Sequence, residues 1–145
     1  MNKQILLIGL VFSLGYIGND VMKELNLSAI NNAHGVGSDK ALAARIEGQL
    51  QTTGRDQYDA VKDLGRKPVA FMQFSGVKAG MTVLDVIAGA GYNTEILSAA
   101  VGSDGIVYAQ NSHFILRLID GAHHKAMLGR LNHDRLPNVR YMVMD

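Results

Sequence analysis

The stretch Val83-Leu84-Asp85-Val86-Ile87-Ala88-Gly89-Ala90-Gly91 holds the residues best placed to do chemistry. An apolar run carrying an acid and followed by two spaced glycines reads as a strand, a tight turn and the start of a helix. Glycines let the backbone approach a ligand because no Cβ stands in the way. The helix beyond them offers unpaired N–H groups and the positive end of its dipole, which suits a carboxylate or a phosphate. Open α/β sheets bind their ligands at the carboxyl ends of the strands, where this turn would lie. Each residue also has a plain structural reading. Asp85 can tie the following turn, and Gly89 and Gly91 can serve the turn alone.

Other chemistries are narrowed by composition. There are no cysteines, so disulfides, thiolate metal sites and cysteine nucleophiles are excluded. The net charge of +1 gives no electrostatic case for nucleic acid. His123 and His124 are neighbours on an expected helix and so point in different directions, with His133 further on. They read as a solvated helix face, and no metal site is expected. Hydrophobic residues at 48% and charged residues at 19% suit a folded domain with a core.

The elements that must position the turn follow from pattern. Strands are expected over 82–87, 106–109 and 139–144, with helices over 94–101 and 113–131 between them. This alternation predicts a parallel sheet with right-handed crossovers. Before the sheet, Ser38 looks like the N-cap of a helix through Leu50, and a second helix covers Tyr58–Leu64. Pro68 suits the first turn of a third, Pro68–Phe74. Residues 19–37 read as a linker with one weak helix.

A dinucleotide fingerprint would need Gly-x-Gly-x-x-Gly, and its third glycine is here Thr94. The segment instead resembles the first motif of class I S-adenosylmethionine-dependent methyltransferases, hydrophobic-hydrophobic-Asp-hydrophobic-Gly-x-Gly-x-Gly. Ile87 stands where that pattern has its first glycine. The likeness extends to Arg66-Lys67-Pro68, Phe74–Val83, Tyr92–Leu97 and Val101–Asn111, and covers roughly residues 55–145. It is shared with a subgroup of methyltransferases that often carry an N-terminal export signal. The resemblance implies an α/β, Rossmann-like fold with N-terminal helices and S-adenosyl-L-methionine as cofactor.

By the same resemblance, Asp85 would sit near the methionine part of the cofactor, and Gly89 and Gly91 would give it room. After the second strand, where the family has an acid for the ribose hydroxyls, stands Gln110-Asn111, with Asn111 the better aligned. Asp145 matches the acid that meets the adenine edge. Asn111 can equally be a loop or cap residue and Asp145 a solvated chain end. Tyr92 can stack on the cofactor or pack.

The resemblance implies seven strands, of which three are expected here, so the fold is read as truncated after the third parallel strand. The acceptor-side residues would then be missing, no catalytic residue can be named, and the chain should bind cofactor weakly or not at all and transfer no methyl group. The alternatives are a non-catalytic α/β remnant, an interaction module, or a nucleotide- or NAD-binding half-domain. An open sheet of this kind invites self-association. Finally, Lys3 followed by the apolar run Ile5–Phe12 has the pattern of a secretory signal. Residues 1–18 are read as a signal peptide or anchor, 19–54 as linker and N-terminal helix, and 55–145 as the partial methyltransferase domain. The expected location is periplasmic or secreted, the alternative being a buried strand or helix of a cytoplasmic fold.

Overall fold

Four strands, all parallel, form one open sheet in the order β1 (Ile5–Gly9), β2 (Thr82–Val86), β3 (Ile106–Asn111) and β4 (Val139–Val143). The computed structural model describes residues 5–9 and 36–145. Thr82 lies beside Ile106 and Val107 beside Val139, so the three strands expected from pattern are neighbours in sequence order. The sheet has one strand more than expected. Ile5–Gly9, within the segment read as an export signal, pairs with the free side of β2 and sets Ile5 beside Thr82. The weak helix expected in 19–37 lies outside the described residues, except that the first described helix, α1 (Val36–Leu50), already begins at Val36.

Parallel neighbours need crossover connections. Helix α4 (Tyr92–Val101) joins β2 to β3. The second crossover, expected as one helix over 113–131, is broken into α5 (His113–Arg117), a 3-10 turn (Leu118–Gly121) and α6 (Ala122–Leu131). The break falls where Asp120 and Gly121 take φ of 49° and 74°, left-handed values that a right-handed helix cannot contain. β2 ends one residue early for the same reason, because Ile87 has φ 56°. β3 runs on to Asn111 because β4 pairs with it that far.

Burial alternates along β2 and β3, as a sheet covered chiefly on one face requires. Val83, Asp85, Val107, Ala109 and Asn111 are buried, whereas Leu84, Val86 and Tyr108 are half-buried. Helix α4 covers the inner face with Ile96, Leu97, Ala100 and Val101. Helix α1 (Val36–Leu50) packs on α4 through Leu42 and Ile46, and α3 (Pro68–Phe74) adds Met72. Each such side chain, fully buried, stabilises by roughly 1.5–3 kcal/mol.

Helix α2 (Gln57–Arg66) is turned the other way. Its Asp59 is buried while Tyr58, Val61 and Leu64 are exposed. Charged partners hold its acidic side inward, and its apolar stripe is left in solvent. No helix among the described residues is long and apolar enough to cross a membrane. Parallel strands joined through helices in an open sheet make this a Rossmann-like α/β fold.

Candidate cofactor site at the glycine turn

The turn after β2 is set by its backbone. Ile87, Gly89 and Gly91 have φ of 56°, 58° and 88°, so three of five successive residues are left-handed. Glycine takes this region freely, but a β-branched residue there is strained, by roughly 1–2 kcal/mol. Gly91 N–H closes the turn on Ala88 O at 2.9 Å and then N-caps α4 without any side chain over the helix end. Gly91 is required by packing as well. A Cβ there would come within 2.9 Å of Met127 Sδ and Arg130 Cδ on α6. The space it leaves is filled by protein. Gly89 is more open, since a Cβ there would meet nothing closer than 4.0 Å, the nearest atoms including His123 Nδ1.

Asp85 lies beneath the turn and is 3% exposed. It accepts a hydrogen bond from Thr94 Oγ1 at 2.6 Å, across to the first turn of α4. Burial pushes its carboxyl up to about 6, and the Thr94 bond only partly opposes this. The turn is also tied sideways to the end of β3. Gly89 N–H donates to Asn111 Oδ1 at 2.7 Å, and Asn111 Nδ2 donates to Gly89 O at 2.9 Å. Ile87 N–H donates to Gln110 Oε1 at 3.2 Å, and Ala88 N–H to Gln110 O at 2.9 Å. Asn111 is wholly buried. Asp145 is exposed, and its Oδ1 accepts from His113 N–H at the start of α5. Its bonds to His113, side chain first, hold its carboxyl below the usual range.

Behind the turn lies a cluster of charges that the sequence reading does not single out. Glu95, in the first turn of α4, is 1% exposed. It accepts from Arg130 Nη1 at 2.6 Å, from both Arg135 Nη atoms at 2.7 and 2.9 Å, and from Gln49 at 2.8 Å. Burial alone would raise its carboxyl, but the Arg135 and Gln49 bonds and the two arginine charges hold it low. Arg130 also pairs with buried Asp59 and donates from Nε to Ala90 O at 2.6 Å. One guanidinium therefore joins α2, α4, α6 and the turn itself. Tyr92 packs into the same region. Its hydroxyl donates to Asp63 Oδ1 at 2.8 Å, and the Arg66 guanidinium lies 4.5 Å from its ring centre.

The structure thus brings Asp85, Gly89, Gly91 and Asn111 together around one turn and sets Asp145, exposed, just past the end of β4, next to Met144, whose N–H donates to Asn111 O at 3.1 Å. His123 faces the turn, and His124 meets Tyr141 Oη at 3.0 Å, so both are half-buried where a solvated face was expected. Among the described residues there is no group of three or more side chains able to hold a metal. A groove of about 370 Å³ lies elsewhere, between α1, α2 and α3, lined by Leu50, Leu64 and Pro68 among others.

Residues 57–119, from the start of α2 to just past α5, match the family model of protein-L-isoaspartate(D-aspartate) O-methyltransferase. No curated protein and no solved structure matches the chain.

Proposed function

From the premise of a class I S-adenosylmethionine-dependent methyltransferase, which the sequence motif, the parallel fold and the family match support together, we propose that the glycine turn binds S-adenosyl-L-methionine. The observation that carries this is the turn itself. Gly89 is free of close neighbours, and the N-terminus of the ten-residue α4 opens beside it with no side-chain cap. Such a helix end suits the carboxylate of an amino-acid group. Asp85, ionised near neutrality, suits a nearby ammonium, which would draw its carboxyl back down. These residues fit the amino-acid end of the cofactor. Gly91 contributes by packing, and Asp145 is proposed for the adenine edge.

The chemistry supplied by the bound cofactor is an electrophilic methyl group on a sulfonium. The chain's own part is to hold the ligand at the turn, with α6 and Arg130 fixing the turn's shape. Positioning of the acceptor is much of what a transferase contributes, and the resemblance assigns no acceptor-side residue to the strands described. We therefore take the 145-residue chain alone to transfer no methyl group. The family match makes an isoaspartyl peptide the first acceptor to try.

Parallel calorimetric titrations with S-adenosylmethionine and NAD test the reading. Binding of the former alone supports it, and binding of NAD alone overturns it. Methyl transfer from labelled cofactor to the peptide would overturn the proposed inactivity. Export of the chain is proposed from the N-terminal pattern. Intact-mass measurement after expression in a bacterium reads it, and Met1 retained in the soluble cytosolic fraction would count against it. Cleavage near residue 18 would also remove β1 from the sheet.

A further inference from the structure

Asn111 and Gln110 use their amides on the turn and not on the space above it. An asparagine side chain carries one acceptor oxygen and an N–H2 donor. In Asn111 the oxygen takes Gly89 N–H and the nitrogen gives to Gly89 O, with no exposed surface left for a ligand to reach. Gln110 accepts from Ile87 N–H and donates from Nε2 to Met144 O at 2.6 Å. Residues 87, 88 and 89 are therefore each held by residue 110 or 111. The amides continue the β2–β3 ladder past the end of β2, and Asn111 pairs with Gly89 as a neighbouring strand would.

This explains why an amide stands at 111. An aspartate could accept from Gly89 N–H, but its second oxygen would face Gly89 O, acceptor against acceptor. A carboxylate can hold ligand hydroxyls, but it cannot make this clamp. The clamp also keeps Ile87 at its left-handed φ of 56°, because Gln110 bonds its N–H in that conformation.

Resting on the cofactor reading above, we infer that Gln110 and Asn111 are positioning residues that lock the glycine turn, and that the site takes an S-adenosyl ligand without a hydrogen-bonded grip on its ribose hydroxyls. The specificity that follows is unusual for a nucleoside ligand. The amino-acid end should dominate recognition, and the sugar hydroxyls should matter little.

The experiment has a ligand arm and a ligand-free arm, both on the full chain. Calorimetry compares S-adenosylhomocysteine with its 2′,3′-dideoxy analogue. The two should bind within about threefold of each other, since no polar contact is lost. An analogue more than about tenfold weaker overturns the ribose inference. If neither binds at millimolar concentration, the cofactor reading fails and the ribose inference fails with it. Amide hydrogen exchange then decides the clamp by itself. Asn111→Leu, which keeps the shape and removes both amide atoms, should speed exchange at Gly89 by about tenfold or more, with Val83 in the sheet unchanged. Equal exchange at Gly89 in variant and parent overturns the clamp. Equal speeding at Gly89 and Val83 also overturns it, because Asn111 would then support the fold as a whole.

Discussion

Replacing Asp85 by asparagine should make the protein more stable, and only above acidic pH. Asp85 is 3% exposed, and burial raises its carboxyl from 3.8 to about 6. In the unfolded chain the same group titrates at its ordinary value. Below 3.8 both states hold the proton, and Asp85 costs nothing. As pH rises towards 6 the unfolded chain gives up its proton and the folded chain keeps it, so stability falls. Above 6 the loss is complete and constant. About two pKa units at 1.36 kcal/mol each give a penalty of roughly 3 kcal/mol at pH 7.5. Asparagine keeps an oxygen for Thr94 Oγ1, so the bond to α4 survives. For a chain of this size the gain corresponds to a rise of roughly 6–12 °C in melting temperature. Urea unfolding of parent and Asp85→Asn at pH 4 and pH 7.5 measures it. The difference between the two proteins should be under about 1 kcal/mol at pH 4 and reach roughly 3 kcal/mol at pH 7.5. Common acid effects, such as protonation of Glu95, cancel in that difference. A variant less stable than the parent at pH 7.5, or a gain that does not change with pH, would refute the reasoning.

Two further substitutions probe the turn. Ile87→Gly relieves a left-handed β-branched residue, so it should change the unfolding free energy read from urea denaturation by less than about 1 kcal/mol although a large apolar side chain is lost; a loss above about 2.5 kcal/mol would show that φ 56° carries no strain. Arg130→Met leaves Asp59 and Ala90 O without their buried guanidinium and should cost about 3–5 kcal/mol by the same assay, an expectation that a loss below about 1 kcal/mol would contradict.

The strand, turn and helix around Asp85, Gly89 and Gly91 were legible because their signals are local. An apolar run, two glycines and a helical period each act over a few residues. The second and third strands were legible for the same reason. Ile87 was visible in the sequence as a residue in a glycine's place, but its left-handed backbone depends on Gln110, more than twenty positions away. The cluster of Asp59, Glu95, Arg130 and Arg135 left no trace, since its members lie on separate elements and only the packing of α2, α4 and α6 brings them together. That packing also inverted α2, whose exposed Tyr58, Val61 and Leu64 follow a spacing that normally marks a buried face. The break at Asp120 and Gly121 came from backbone angles that the continuous apolar period conceals. The run Ile5–Gly9 reads by pattern as part of a signal core, with a buried strand or helix as the alternative, and its pairing with β2 is a long-range fact.

That pairing has a consequence for the order of folding. β3 closes on β2 across one helix, setting Thr82 beside Ile106, whereas β1 sets Ile5 beside Thr82. Closing the longer loop costs on the order of 1 kcal/mol more in chain entropy. Contacts so distant in sequence form slowly. β1 is therefore synthesised first and used last. At ribosomal rates of about 5–20 residues per second, it waits roughly 4–15 seconds for its partner to appear. During that interval its five residues are an unpaired apolar segment, open to whatever binds such segments as they emerge. Slowing synthesis ahead of Thr82 would lengthen that interval in proportion.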